Sequence, residues 1–342
     1  MRKPLLSTLL FFLCTQILLS QPIDSILFFT DEAPLAFTIT TDLKALQSQK
    51  KPEKFYQDGT VAIKWQDNTI ITEPIKVSAR GKTRKEICRI PPMMIDFRTS
   101  PTSRLNHLGK LKMVIGCGTS QTEEELLLKE LLCYKIFNQL SDKSFRVRLL
   151  KSTYVDTRNR IKTFSQYAFL IEDDGDVARR NGCHKKETAG HFNSEATNRE
   201  TMTMVALFEY LIGNTDWSVP NGHNIKLIFD RNKENALPYV LPYDFDYSGL
   251  VNAEYAVPAD IMGTEKVTER VYRGFPRTMD ELQQKLTIYR EKKLAIYAVI
   301  NNFMLLSEKT KKGMIQYLED FYSTINDTKA VQRIFIDNAR IN

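Results

Sequence analysis

Between Ala33 and Phe97 apolar and polar residues alternate: Leu35, Phe37 and Ile39, then Val61, Ile63 and Trp65, then Ile75, Val77 and Ala79. A period of two predicts strands with one buried face, here an antiparallel sheet whose other face is wet. Asp58-Gly59 and Asp67-Asn68 supply turn chemistry between the runs. The segment Arg80-Gly81-Lys82-Thr83-Arg84-Lys85 reads as a basic loop, Pro91-Pro92 leads into a strand from Met93 to Phe97, and Leu111 to Ile115 forms another. The period then changes. Leu127, Leu131, Tyr134 and Leu140 make a helical stripe behind Glu123-Glu124-Glu125, with Thr119, Ser120 and Thr122 as capping candidates. Phe145 to Val155 and Thr163 to Glu172 return to strand, and the acidic run Glu172 to Asp176 that follows reads as a hinge.

Residues 176 to 198 are the most loop-like part of the chain. An amphipathic helix from Asn198 to Leu211 then runs into Gly213-Asn214-Thr215-Asp216. Ile225 to Phe229 and Tyr239 to Leu241 form a hairpin ending at Asp244-Phe245-Asp246, and Met279 to Ile341 is helical, with runs at Leu282 to Leu306 and Lys311 to Ile325. A sheet-rich first half and a helical second half predict an α+β fold with a cleft between two lobes, residues 21–172 and 173–342.

Residues 1–20 carry Arg2 and Lys3, the apolar run Leu5 to Leu19 and a polar break at Ser20-Gln21-Pro22, the layout of a secretory signal. Export is therefore expected, with no transmembrane segment once the signal is removed. Leu13 before Cys14 is not the small residue that lipoprotein processing favours. The remaining cysteines, Cys88, Cys117, Cys133 and Cys183, allow three pairings, and four buried thiols are the competing reading; Cys88 with Cys117 is the first choice because each adjoins a strand of the first lobe. With no Cys/His cluster, structural zinc is not expected. The net charge of +7 is scattered and interleaved with Glu, which points to a solvated surface with a modest preference for anions and away from nucleic acid.

The chemistry concentrates in Leu211 to Leu250. Asp216 on a polar loop, Asn224 leading one strand and Asp244 and Asp246 closing the next are an acid able to hold a hydroxyl and hard oxygen ligands for Mg²⁺ or Mn²⁺ on phosphates. The opposing reading has Asn224 capping a turn and the carboxylates solvated; the ordered set favours function. Glu130 beside Lys129 is either half of a surface pair or the partner of a phosphate-binding lysine.

LIGNTDWSVPNGHN followed by IKLI and PYDFDYSGL resembles the atypical kinases of the spore-coat-protein-H type and, more distantly, HipA-like kinases. The resemblance runs from about Arg80 to Leu250, taking in LLLKELLCYKIFNQL, SFRVRLLKSTYVD and YAFLIE. It implies a two-lobed protein-kinase-like fold that uses ATP and Mg²⁺ or Mn²⁺ to phosphorylate a protein. Under it Asp216 matches the catalytic acid, Asn224 the metal-binding amide with Asn221 as rival, and Asp244 the metal-binding acid with Asp246 as second ligand. Glu130 matches the helix glutamate, and Glu172 ends the hinge strand on the nucleotide side. The strand Met93 to Phe97 has no lysine, so Arg80, Lys82 and Lys112 stay open as phosphate-binding groups. A cell-surface binding module on a degenerate kinase fold, holding Ca²⁺ or nothing, is the alternative; a carboxylate-pair hydrolase has no further support.

Overall fold

The computed structural model describes residues 23–49, 55–81, 83–186 and 192–340. The signal-like segment, Cys14 and Lys82 lie outside them.

After a short helix α1 (Ser25–Phe28), strands β1 (Leu35–Thr41), β2 (Gln57–Lys64), β3 (Ile70–Ala79), β4 (Met93–Asp96) and β5 (Lys110–Ile115) are interleaved with helices α2 (Leu43–Gln47) and α3 (Thr83–Ile87). Helix α4 (Gln121–Asn138) precedes β6 (Val147–Asp156) and β7 (Phe164–Ile171). Among the described residues these seven strands close into a barrel in the order β1-β2-β3-β4-β5-β7-β6. All neighbours are antiparallel except β1 and β6, which pair in parallel from Leu35↔Leu150 to Thr41↔Asp156. The alternating residues Phe37, Ile39, Val61, Ile63, Val77, Ile95, Met113, Leu150 and Leu170 fill the interior. Alternation fixes which side chains point inward, whereas strand twist and stagger decide whether a sheet closes. The expected open sheet is therefore replaced by a barrel.

The second half is mixed. Helix α5 (Asp174–Arg180) and β8 (Cys183–His184) lead to α6 (Arg199–Ile212), whose N-cap is Asn198. Strands β9 (Ile225–Asp230) and β10 (Tyr239–Pro242) form a hairpin in register Pro242↔Ile225, with β8 on the other side of β9. Helices α7 (Met279–Asn301), α8 (Glu308–Asn326) and α9 (Thr328–Val331) follow, α7 opening on a Thr278–Glu281 capping box and α9 running on into a π-helical stretch at Gln332–Asp337. A second core joins α4 (Leu131, Tyr134, Phe137), α6 (Phe208, Leu211), Phe245, α7 (Leu286, Tyr289) and α8 (Leu318, Phe321). Helix α4 thus packs with the helical half although it precedes β6 and β7 in the chain.

Three local expectations give way. Asp58-Gly59 lies inside β2, where a Cβ on Gly59 would stand 3.0 Å from the Thr40 carbonyl oxygen, so this glycine marks a close strand approach instead of a turn. Asp67-Asn68 does turn, with Asn68 at φ 65° and the Thr69 N–H donating to Asp67 at 2.9 Å. Part of the basic loop is helix α3, and the acidic run starts helix α5: Asp173 caps it, Asp174 and Asp176 fill its first turn and Arg179 and Arg180 its last, all matched to the helix dipole. Cys88 and Cys117 form a disulfide, while Cys133 and Cys183 are buried free thiols. No helix among the described residues is long and apolar enough to cross a membrane.

Candidate active site

Helix α6 ends at Gly213, which adopts the left-handed conformation at φ 68°. The next loop is stitched to the turn after β10: the Gly249 N–H donates to the Gly213 carbonyl at 3.0 Å and the Leu250 N–H to Ile212 at 2.9 Å. Arg270 caps the carbonyls of Tyr210 and Leu211, and Arg273 those of Thr215 and Trp217. Arg270 thus meets carbonyls of the last helical turn, and Arg273 holds the loop beyond it from behind.

Within it the Asp216 N–H is bonded to Asn214 Oδ1 at 3.0 Å. Residues 218–223 close on themselves, Ser218 and His223 exchanging backbone hydrogen bonds at 2.9 Å, and the chain returns to where it left. His223 Nε2 and Asp216 Oδ1 are consequently 2.8 Å apart, while Asn224 Nδ2 donates to the Asp216 carbonyl at 2.7 Å and to Oδ2 at 3.1 Å. Asn221 sits exposed at the tip of that small loop. Asn224 also joins β10, its carbonyl accepting the Tyr243 N–H at 3.0 Å, which brings Asp244 alongside. Asn224 and Asp244 both have positive φ, 53° and 69°, a conformation that non-glycine residues adopt at a cost and that concentrates at functional sites. The Asp244 N–H donates to the Tyr134 hydroxyl at 2.9 Å, and Phe245, fully buried, packs its ring 4.6 Å from Tyr134 and 5.4 Å from Phe208.

Behind Asp244 lies a sealed ionic cluster. Arg84, from α3, has Nη1 3.6 Å from both Glu130 Oε2 on α4 and Asp246 Oδ2, and it donates to the Ile115 carbonyl at the end of β5. The Tyr255 hydroxyl donates to Asp246 at 3.0 Å. Burial and then the Asp246 charge push the Glu130 carboxyl well above the ordinary carboxylate range, with Arg84 opposing. Asp246 is pushed up to about 6 by burial and by Asp244. Burial works against the Arg84 charge too, yet Tyr255, Glu130 and Asp246 hold the guanidinium ionised above its ordinary value. Lys129, next in sequence, instead donates to the Val251 carbonyl at 2.9 Å.

On the barrel side stands a second group of cations. Lys112 of β5 is half-buried, its Nζ 3.9 Å from the centre of the Tyr243 ring, and Lys226 of β9 approaches the same ring at 5.9 Å. Burial, then Arg80, then Lys226 lower the Lys112 ammonium to about 7. Two lysines on one aromatic ring, with Arg80 electrostatically close to Lys112, are a crowding of positive charge that an anion would relieve.

Of the remaining predicted residues, Glu172 is spent on Arg180, with contacts of 2.9 Å from each of its oxygens, and on the Arg146 N–H at 3.0 Å. The structure thus gathers Asp216, Asn224, Asp244, Asp246, Glu130, Arg80 and Lys112 into one electrostatically linked region and sets the Glu172 carboxylate in an ion pair of its own. Sequence reasoning missed Arg84, Lys226, His223, Tyr255 and Glu209. Arg84 lay within the basic segment, but its reading as a loop hid the helix that turns it inward. Glu209, on the last turn of α6, is buried with neither carboxylate oxygen hydrogen-bonded; burial drives it up to about 8.

A cation fits this region on its chemistry. Asn224 spends its amide nitrogen on Asp216, leaving Oδ1, and Asp244 supplies a carboxylate whose charge raises two buried neighbours, Asp246 and Glu130. These are hard oxygen donors next to negative charge that Arg84 offsets only in part. No group of three or more His, Cys, Asp or Glu side chains among the described residues is arranged as a metal cage by itself, so phosphate oxygens or water would have to complete the shell.

No family model matches the chain, and no curated protein does. Among solved structures, it is similar to the crystal structure of a Helicobacter pylori proinflammatory kinase, CtkA, at 12% identity over 83% of this chain and 95% of that one, with a TM-score of 0.37. A likeness that distant carries no argument for fold or activity.

Proposed function

We propose that this chain is an exported atypical kinase that transfers the γ-phosphate of ATP to a protein hydroxyl with Mg²⁺ or Mn²⁺, in a cleft between a β-rich amino-terminal lobe and a mainly helical carboxy-terminal lobe. The observation that carries the reading is Asp216 held between His223 and Asn224, with the left-handed Asp244 alongside, Lys112 and Lys226 over Tyr243 and Arg80 electrostatically close to Lys112. Phosphoryl transfer is mainly positioning and charge stabilisation, and each requirement has a residue. Asp216, oriented by two donors, accepts the proton of the acceptor hydroxyl as the new O–P bond forms and the bond to the leaving ADP oxygen breaks. Arg80, Lys112 and Lys226 draw the phosphate chain toward Tyr243. Asn224 Oδ1 and Asp244 would hold the divalent cation, which when bound neutralises phosphate charge.

A kinase-fold binding module without turnover is the second reading. It is favoured by one observation, that Glu130 is engaged by Arg84 and, among the described residues, by no strand lysine. Metal-dependent ATP binding and autophosphorylation by the purified protein separate the two. The kinase reading expects Asp216→Ala to bind ATP yet lose transfer, and Asp244→Ala to lose metal-dependent binding. If ATP neither stabilises nor labels the wild type, that reading fails.

A further inference from the structure

Resting on the kinase reading, we infer that Arg84, held in place by the Cys88–Cys117 disulfide, takes over the job of tying the helix glutamate to the nucleotide site, so that metal and nucleotide binding require the oxidised crosslink. Arg84 touches both elements that must stay in register. Its guanidinium is 3.6 Å from Glu130, in the middle of α4, and 3.6 Å from Asp246, two residues beyond Asp244. Its third tie, to the Ile115 carbonyl, fixes it to the end of β5, the strand that carries Lys112. No lysine forms an ion pair with Glu130 among the described residues, and Lys112 faces Tyr243, so the two duties that a single strand lysine would combine are divided here. Lys112 meets the anion, and Arg84 aligns the acids.

Helix α3 has five residues and cannot hold itself in water. Its anchor is covalent. Cys88 directly follows it, the Cys88 N–H donating to the Arg84 carbonyl at 3.1 Å, and bonds Cys117 in the β5–α4 connection. The Arg89 N–H donates to the Cys117 carbonyl at 3.1 Å, doubling the seam. Reduction by an added dithiol would turn the S–S bond into two thiols, the dithiol becoming a disulfide, and release α3 from the base of α4. Cys133 and Cys183 are buried and apart from this seam.

The test titrates Mn²⁺ and ATP against the purified full-length protein, following binding by a fluorescent ATP analogue and melting temperature in parallel. Arg84→Ala should raise the Mn²⁺ concentration for half-maximal nucleotide binding at least tenfold, and Arg84→Lys should recover part of it, since a merely structural loss would lower the melting temperature without a matching shift in metal requirement. Dithiol-reduced wild type and the Cys88→Ser/Cys117→Ser double variant should reproduce the Arg84→Ala shift. A wild type that binds no nucleotide overturns the kinase reading and this inference with it. Binding by the wild type with an unchanged metal requirement in Arg84→Ala overturns the inference alone. Loss in Arg84→Ala with retention after reduction overturns the role of the disulfide.

Discussion

Glu209→Gln isolates a single buried charge beneath the Asp216 loop. Glu209 lies on the last turn of α6, about 1% exposed, and its backbone carbonyl accepts the Asn214 N–H at 2.7 Å. Burial dominates its titration, with the nearby Asn214 amide and Arg273 offsetting part and Asp216 adding to it, and the carboxyl rises from 4.5 to about 8. A folded value above the unfolded one means that the native state holds the proton more tightly. The associated stability is therefore complete below pH 4.5 and is lost as pH climbs through 8. At about 1.4 kcal/mol per pH unit the full span is worth about 5 kcal/mol, of which about 3 kcal/mol has gone by pH 7. Glutamine keeps the shape and cannot ionise. Urea unfolding of both proteins from pH 5 to pH 9 should show the variant gaining on the wild type by about 4 kcal/mol across that range. Any fixed cost of burying an amide shifts the whole curve and leaves its slope intact. A difference between the two proteins that does not change with pH would refute the reasoning.

Nucleotide binding should weaken as pH rises from 6 to 8, because Lys112 loses its proton near 7, and Lys112→Met should flatten that dependence in a binding titration. Gly249→Ala should cost about 2 kcal/mol in thermal unfolding, since the added Cβ would stand 2.8 Å from the Val267 carbonyl oxygen and 2.9 Å from Thr268 Cα, backbone atoms that cannot swing aside. Phe245→Ala should cost about 3–5 kcal/mol in chemical denaturation by emptying the space between Tyr134 and Phe208.

Much of this architecture could be read from residue periods. The strands around Phe37, Val61, Val77 and Ile95, the helices at 121–138 and 199–212, and the hairpin after Asn224 all follow from spacings of two or of three and four. The barrel could not be read that way, because closure depends on Leu35 meeting Leu150 and no local pattern encodes that pairing. The site divides likewise. The mutual approach of Asp216, Asn224 and Asp244 follows from hairpin geometry, and the small closed loop at 218–223 accounts for the extra residues between the first two. Arg84 was invisible because its role depends on a five-residue helix and a crosslink across 29 positions. Lys226 was invisible because nothing in its own strand reveals that Tyr243 lies beside it. Glu172 misled for a similar reason: its partner Arg180 stands at the far end of a helix that the acidic run conceals.

The parallel pairing of β1 with β6 also dictates when the barrel can exist. A ribosome delivering this chain releases β1 more than a hundred residues before the strand that seals it, and until then the meander from β1 to β5 presents bare amide and carbonyl rows on both flanks. Such rows recruit other chains. A fragment stopped after α4 would consequently be expected to aggregate, and any expression or truncation strategy has to carry the chain at least through β7, where each strand finds its second neighbour.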